Sequence, residues 1–329
     1  MKYYFAPLEG ITGYVYRNAH HKFFPGTDRY YTPFVAPNYT KHFKTKEKRD
    51  VAPENNAGVP LVPQVLSNKA DETLWAVEEL AQLGYEEINL NLGCPMPTVA
   101  RKKKGSGLLK FTDELDAYLD GVFEGIARRP SDRPPVRISV KTRLGTDSTQ
   151  EAEELVRIYN RYPISELIVH PRSQKDLYKG IPDREAFLLV WQNSVNPIAY
   201  NGNLNCAEDV NEIAKVCAGT GKQLECVMAG RGFLADPSLV RQCQGGELIS
   251  ARELEAFHAE LYERLKETLP GSAVVLSHMK ELWYYMGNLF PEGGKCLKEI
   301  RRAGNRVQYE AAVRVLLSSC RIERPGSGF

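Results

Sequence analysis

A polar amide, a thiol and a rigid turn fall within five residues at Asn91-Leu92-Gly93-Cys94-Pro95, closing the apolar run 88–92. A thiol so placed can donate a proton to a bound substrate, and the Asn91 amide can hydrogen-bond a planar cofactor or base. Free cysteine is also a common inert core residue, so the weight comes from the other polar residues that close apolar runs. Ala6-Pro7-Leu8-Glu9-Gly10 follows the first such run, and Gln64 lies within the third. Lys141-Thr142-Arg143, His170-Pro171-Arg172-Ser173, Asn201-Gly202-Asn203 and Ala229-Gly230-Arg231-Gly232 end the later ones. Singly, Lys141 reads as an ion-pair partner and His170 as a satisfied core histidine. Together they form a constellation that must be brought to one place.

Chemistry at each position can be read from residue type. Gln64 and Asn91 carry the donor and acceptor pair that the pyrimidine edge of a flavin requires. A lysine such as Lys141 suits the negative charge that a reduced flavin carries near N1 and O2. Gly202, Gly230 and Gly232 let backbone approach a phosphate closely or merely serve turns, and Arg231 adds a two-pronged donor.

The elements that would position these residues alternate. Strands are expected at 3–6, 30–35, 61–66, 88–92, 136–141, 166–169, 197–200 and 225–228, rich in β-branched and aromatic residues. Helical periodicity marks 70–83, 113–127, 150–159 and 207–217. Such alternation implies a parallel sheet with helical crossovers, and eight evenly spaced units favour an α/β fold of the (β/α)8 TIM-barrel type over an open doubly wound sheet. In that barrel every loaded strand end faces one mouth. The connection 37–59, with Lys41, Lys44, Lys46, Lys48 and Arg49, reads as one long irregular, charged loop.

Past residue 245 only helical periodicity remains, through Leu254, Phe257, Leu261 and Leu265, then Met279, Leu282 and Trp283, then Ala311, Val315 and Leu316. Ser250 with Glu253 has capping-box spacing. The expected organisation is a catalytic barrel over 1–244, a small all-α helical domain over 245–320, and a flexible tail over 321–329.

Bulk properties narrow the class. The chain has 329 residues and a formal net charge of only +2, so a polyanion footprint must be local. Arg101, Lys102, Lys103 and Lys104 follow the Cys94 loop, and Arg301, Arg302 and Arg306 lie in the helical region. The seven cysteines are odd in number and none has CxxC spacing, which argues against a disulfide framework or clustered metal site and for a cytoplasmic setting. The start MKYYFAPLEG lacks the pattern of a secretory signal, and no spanning helix is expected.

From residue 4 to about 317 the chain resembles the tRNA-dihydrouridine synthases of bacterial type. The resemblance rests on Ala-Pro-Leu-Glu-Gly at 6–10, Asn-Leu-Gly-Cys-Pro at 91–95, Val-Lys-Thr-Arg-Leu-Gly at 140–145, His-Pro-Arg-Ser at 170–173, Asn-Gly-Asn at 201–203 and Ala-Gly-Arg-Gly at 229–232. Leu8 stands where that family commonly has methionine, and Pro171 and Ser173 where it has glycine and threonine. The resemblance implies an FMN barrel with a tRNA-binding helical domain, reducing a uridine C5=C6 bond in tRNA at the expense of NADPH. It implies Cys94 as general acid; Pro7, Leu8, Gln64, Asn91, Lys141 and His170 at the flavin; and Asn201, Gly202, Asn203, Gly230 and Arg231 at its ribityl and phosphate end. Arg143, Arg172, Ser173 and Lys175 would meet the target nucleotide. An ordinary thiol titrates near about 8.5, so an acid cysteine needs no help to hold its proton at neutral pH. A monomer without protein partner or membrane is expected. The rivals are an FMN barrel dehydrogenase acting on a small pyrimidine-like molecule, and a tRNA-binding module with a degenerate site.

Overall fold

The computed structural model describes residues 1–326, so the expected tail at 321–329 lies partly outside the described residues. Nine strands, all parallel, run β1 (Lys2–Phe5), β2 (Arg29–Tyr31), β3 (Leu61–Val62), β4 (Gln64–Val65), β5 (Glu87–Leu92), β6 (Arg137–Arg143), β7 (Leu167–His170), β8 (Ile198–Tyr200) and β9 (Cys226–Ala229). Their order in the sheet is β3-β2-β1-β9-β8-β7-β6-β5-β4. β3 and β4 are one stave interrupted at Pro63, which has no N–H to give a ladder. The Pro63 carbonyl still accepts from Asn89 N at 2.9 Å, and Val35 bridges Val65 on the other side. The stave therefore bonds β2 on one flank and β5 on the other, and the sheet closes as an eight-stave barrel. The eight expected strands are all present, most shifted at their ends by one or two residues; the second stops at Tyr31, four residues short of the expected end, and the third is split at Pro63.

Period-two alternation decides what points inward. Register pairs Gln64 with Asn89, Asn89 with Ser139, Asn91 with Lys141, Lys141 with Ile168, and Arg143 with His170. The apolar middle layer includes Tyr31, Val62, Ile168, Ala199 and Met228, all buried. Polar residues fill both ends. At the N-terminal end Arg29 Nη1 lies 3.1 Å from Glu87 and 3.3 Å from Glu166, and Tyr4 donates its hydroxyl to Glu166 at 3.1 Å. Burial raises the Glu166 carboxyl above its ordinary range, against the pull of Arg29. The C-terminal end carries the residues with chemistry.

Two helices on the barrel flank, Ala70–Gln82 and Thr112–Ala127, fit the expected periodicity and bury Val77, Leu80, Leu115, Leu119 and Val122. The connection 37–59 differs from expectation. It holds a helix, Thr45–Val51, and a 3-10 turn, Pro53–Asn55. Glu47 accepts from Lys44 N at 2.8 Å, so a charged letter serves as a local cap.

The chain separates into two compact units. The barrel unit comprises Met1–Pro7, Arg29–Gly202 and Ile213–Met228; the other gathers Leu8–Asp28, Asn203–Glu212 and the chain from Ala229 onward. Within the second unit the helix Tyr14–Phe23 packs on Ala251–Thr268, with Tyr16, Phe23 and Phe24 set edge-on to Phe257. The Ser250–Glu253 capping box forms as expected, with Glu253 N donating to Ser250 Oγ at 3.2 Å. The last helix, Arg306–Ser319, buries Tyr309, Val313 and Leu316, whereas Val315 is 50% exposed and Ala311 is exposed too. The expected face through Ala311 and Val315 is corrected by that rotation: Tyr309 takes the core position because His258 and Trp283 satisfy its hydroxyl there, and Leu316 alone of the expected residues stays buried.

Candidate active site

The rim of the barrel unit starts from a chain of amides. Asn91 Oδ1 accepts from Gly93 N at 3.1 Å and from Cys94 N at 2.9 Å. Its Nδ2 must then donate, and does so to Gln64 Oε1 at 2.7 Å. Gln64 Nε2 in turn donates to Asn89 Oδ1 at 2.8 Å, and Asn89 Nδ2 to Ser139 Oγ at 3.0 Å. Two backbone N–H groups thus set the direction of the whole chain. Gln64 keeps a second N–H and a second lone pair, and Asn91 a second N–H.

Cys94 is fixed by its own loop. After the turn Pro97–Ala100, Ser106 N and Ser106 Oγ both donate to the Cys94 carbonyl, at 3.1 and 2.9 Å. Gly105 makes this approach possible. It sits at φ +59°, and a Cβ there would lie 2.7 Å from the Cys94 oxygen. Cys94 as a residue is partly exposed.

Lys141 stands beside Asn91 in register and points the same way. Burial, then repulsion from Arg143, push its ammonium down to about 7, and an ionised Cys94 sulfur would pull the other way. Among the described residues it has no hydrogen bond and no carboxylate partner. A half-desolvated cation without a counter-ion suits an anion supplied from outside.

The arginines differ from that. Arg143 is 1% exposed, gives Nε to Gly93 O at 2.9 Å and Nη1 to Ser173 O at 2.8 Å, and lies 5.3 Å from the Tyr178 ring centre. Burial lowers its guanidinium to about 10, so it stays charged at neutral pH. Arg172 gives Nε to Lys179 O at 3.0 Å and Nη2 to Gly180 O at 2.6 Å, and its Nη1 meets His170 Nε2 at 2.8 Å. Ser173 donates Oγ to Asp176 at 2.8 Å. These three side chains hold the loops after β6 and β7, while Lys175 is exposed. The structure thereby brings Gln64, Asn91, Cys94, Lys141, Arg143, His170, Arg172 and Ser173 to one rim.

Asn201 closes β8, its Nδ2 donating to Met228 O at 2.8 Å. At Gly202 a Cβ would fall 2.2 Å from the Tyr200 hydroxyl, so any other residue here would have to displace that buried ring. Pro7 ends the barrel unit's first segment, half-buried. In the second unit Leu8 accepts at its carbonyl from Ile11 N and Thr12 N, both at 3.1 Å. There Arg231 Nη2 donates to Asn203 Oδ1 at 3.0 Å, directly after Gly230. Asn89, Ser139 and Ser106 are participants that motif reading missed. Asn89 had a signal, being two residues before Asn91 on one strand face; Ser106 had none, since its bond depends on how the loop folds back.

No group of His, Cys, Asp or Glu among the described residues could hold a metal ion. No helix among them is long and apolar enough to cross a membrane.

A barrel whose C-terminal rim joins a thiol, an amide chain and an unpaired ammonium fits redox or proton-transfer chemistry on a planar ring. The sequence profile of the dihydrouridine synthase (Dus) family matches residues 4–320, and the chain belongs to that family. It is 25% identical over 285 residues to tRNA-dihydrouridine synthase B of Pasteurella multocida, covering 86% of this chain and 78% of that one. It is 30% identical over 243 residues to tRNA-dihydrouridine(16) synthase of Neisseria meningitidis serogroup B, covering 72% and 69%. A solved variant of NCR from Zymomonas mobilis shares the backbone at TM-score 0.50 and 11% identity, over 78% of this chain and 90% of that one, a likeness of fold alone.

Proposed function

We propose that this enzyme reduces the C5=C6 bond of a uridine in tRNA to 5,6-dihydrouridine, with FMN as bound cofactor and NADPH as reductant. The observation that carries the reading is Cys94 held by its loop beside the uncompensated, half-buried Lys141 ammonium. The family membership and the names of the relatives support it.

The residues fit FMN. Lys141 offers positive charge with no partner of its own among the described residues, beside the Asn91 amide, which keeps a second N–H, while fully buried Gln64 would serve the ring by orienting Asn91 from behind. Pro7, Leu8 and His170 would flank the ring, with Asn201, Gly202, Asn203, Gly230 and Arg231 toward the ribityl and phosphate end. When bound, FMN supplies the hydride for C6 of uracil. Cys94 supplies the proton for C5, with general-acid assistance of this kind worth roughly 10²–10⁴ in rate. Asn91 sets where the thiol stands through its bonds to Gly93 N and Cys94 N. Arg143 and Arg172 act by shaping the loops around the base, and Lys175 offers its charge to the nucleotide. A uridine stacked inside folded RNA must be extruded, at a cost of a few kcal/mol. Basic residues away from the ring, Arg101 and Lys102 on the barrel unit and Arg301 and Arg302 on the helical unit, supply binding energy that offsets it.

The test is anaerobic. The yellow protein is reduced with NADPH, and reoxidation is followed after adding unmodified tRNA or free uridine. Reoxidation by tRNA alone is the expected result. Reoxidation by a free pyrimidine but not by tRNA would replace this reading with a small-molecule dehydrogenase.

A further inference from the structure

Beside the Cys94 loop the barrel unit has a cleft of about 480 Å³, within the range of small-ligand sites. Its walls come from three segments that the clamp around Cys94 ties together. Arg101, Lys103 and Gly107 belong to the stretch whose Ser106 holds the Cys94 carbonyl. Thr146 and Asp147 follow β6, and Gln174 and Lys175 follow Ser173, whose carbonyl is held by the same Arg143 that holds Gly93.

The lining is cationic. Arg101, Lys103, Lys110 and Lys175 face one carboxylate, Asp147. Lys103 is committed to Glu114 at 2.6 Å and lies 4.0 Å from the Phe111 ring centre, and Lys110 reaches Asp147 at 4.0 Å. Arg101 and Lys175 are exposed and make no ion pair among the described residues. The cleft also holds an unused amide. The Gln174 side chain makes no hydrogen bond among the described residues, and its Oε1 is shut away from solvent. Buried polar atoms are nearly always bonded, and one left open marks a missing partner. Unpaired cations beside an amide with no partner of its own match a phosphate linked to a base, the first for Arg101 and Lys175, the second for Gln174, whose buried Oε1 must turn out into the cleft to meet it.

We infer that this cleft takes a nucleotide of the RNA that flanks the target uridine, with Arg101 and Lys175 on the phosphate that joins the two nucleotides and Gln174 reading the flanking base's edge. The inference rests on the proposed function and adds a specificity-determining subsite to it. A charge on a phosphate contributes without regard to sequence, whereas an amide on a base edge discriminates.

The probes are unmodified tRNA and NADPH, the variants Arg101→Gln and Gln174→Leu. Arg101→Gln is expected to weaken tRNA binding about three- to tenfold near 0.1 M salt, and to reduce the slope of log K against log salt by about one. Gln174→Leu is expected to weaken binding about fivefold or more, leave the salt slope unchanged, and level the preference among tRNAs altered at the nucleotides beside the target. KM for NADPH should stay within about twofold in both. Unchanged tRNA affinity and slope in both variants, in a wild type that binds and reduces tRNA, would overturn the subsite alone. A higher KM for NADPH with unchanged tRNA affinity would give the cleft to the phosphoadenosine of the reductant instead. A wild type that does not bind tRNA removes the proposed function and the subsite together. Melting temperatures equal to wild type show that neither variant acts through folding.

Discussion

At the scale of single residues, two groups on the rim carry distinct and separable tasks. Cys94 is placed as a proton donor and nothing in the amide chain depends on its sulfur, because Asn91 and Ser106 hold its backbone. Cys94→Ala should therefore retain FMN and its reduction by NADPH while slowing dihydrouridine formation roughly 10²–10⁴-fold, read by single-turnover assay. Equal single-turnover rates would remove the acid role. Lys141 is different, since its charge is itself poised. With an ammonium at about 7, it is cationic below neutrality and largely neutral above it. A stabilised anion would raise that value, so the positive form dominates at pH 6 under any loading. Lys141→Met should slow NADPH-dependent reduction about tenfold or more at pH 6 and by a smaller factor at pH 8.5. The same loss at both pH values would mean that the bound flavin keeps the lysine charged throughout, and no loss at pH 6 would show that the charge is not what matters. The cysteine and lysine were legible as letters at strand ends; the absence of a counter-ion for Lys141 among the described residues was not, because it depends on what every neighbouring strand presents.

At the scale of elements, the loop after β5 is the part most exposed to small changes. Gly105 and Gly107 lie where backbones nearly touch, a Cβ on Gly107 falling 2.3 Å from Ala100 O. Gly105→Ala would meet both a clash with the Cys94 carbonyl and a left-handed φ, two unfavourable effects that displace the thiol. Its expected signature is a fall in kcat of at least about tenfold with FMN content near wild type, measured by absorbance and steady-state turnover. Full activity would show that the loop adjusts. Strands and flank helices were readable because period-two and period-3.6 patterns survive in their letters. The helix Tyr14–Phe23 was not, and the reason is plain in its burial: Arg17 and His20 sit on the inner face with Tyr16 and Ala19, so polar letters mark buried positions. Thr45–Val51 escaped for the opposite reason, being short and charged along most of its length.

At the scale of the whole molecule, buried histidines should govern acid stability. Burial lowers His20 to about 3 and His258 to about 4, the latter with Nε2 2.7 Å from the Tyr309 hydroxyl. Unfolded histidine titrates near 6.5, so the unfolded chain binds protons that the folded chain refuses. Their contribution is full above about 6.5 and is lost as pH falls toward 4. At about 1.4 kcal/mol per pKa unit, His258 alone accounts for about 3 kcal/mol across that window. The melting temperature should fall steeply from pH 6.5 to 4.5, less steeply in His258→Gln; parallel curves would show that other groups control the loss. Charge on the helical unit has a separate test. Arg301 and Arg302 are exposed and unpaired among the described residues. Replacing both by glutamine should lower the salt slope of tRNA binding by about two, one for each phosphate no longer neutralised, and an unchanged slope would make them ordinary surface.

The amino-acid sequence by itself determined the eight-stave alternation, the loaded strand ends and the family motif around Cys94, because each is written in local periodicity or contiguous letters. Only the tertiary structure decided how those letters are used. Closure of the barrel through the Pro63 stave set Gln64 against Asn89 and so completed a directed amide chain. The fold also turned Arg143 and Arg172 from open cations into clamps on backbone carbonyls, Arg143 across to Gly93 and Ser173, Arg172 within its own loop on Lys179 and Gly180. It also left Lys141, Arg101 and Lys175 as the charges still to be matched. A side chain's type sets what it can donate or accept, but its partners come from distant segments, and those are fixed only when the chain has closed on itself.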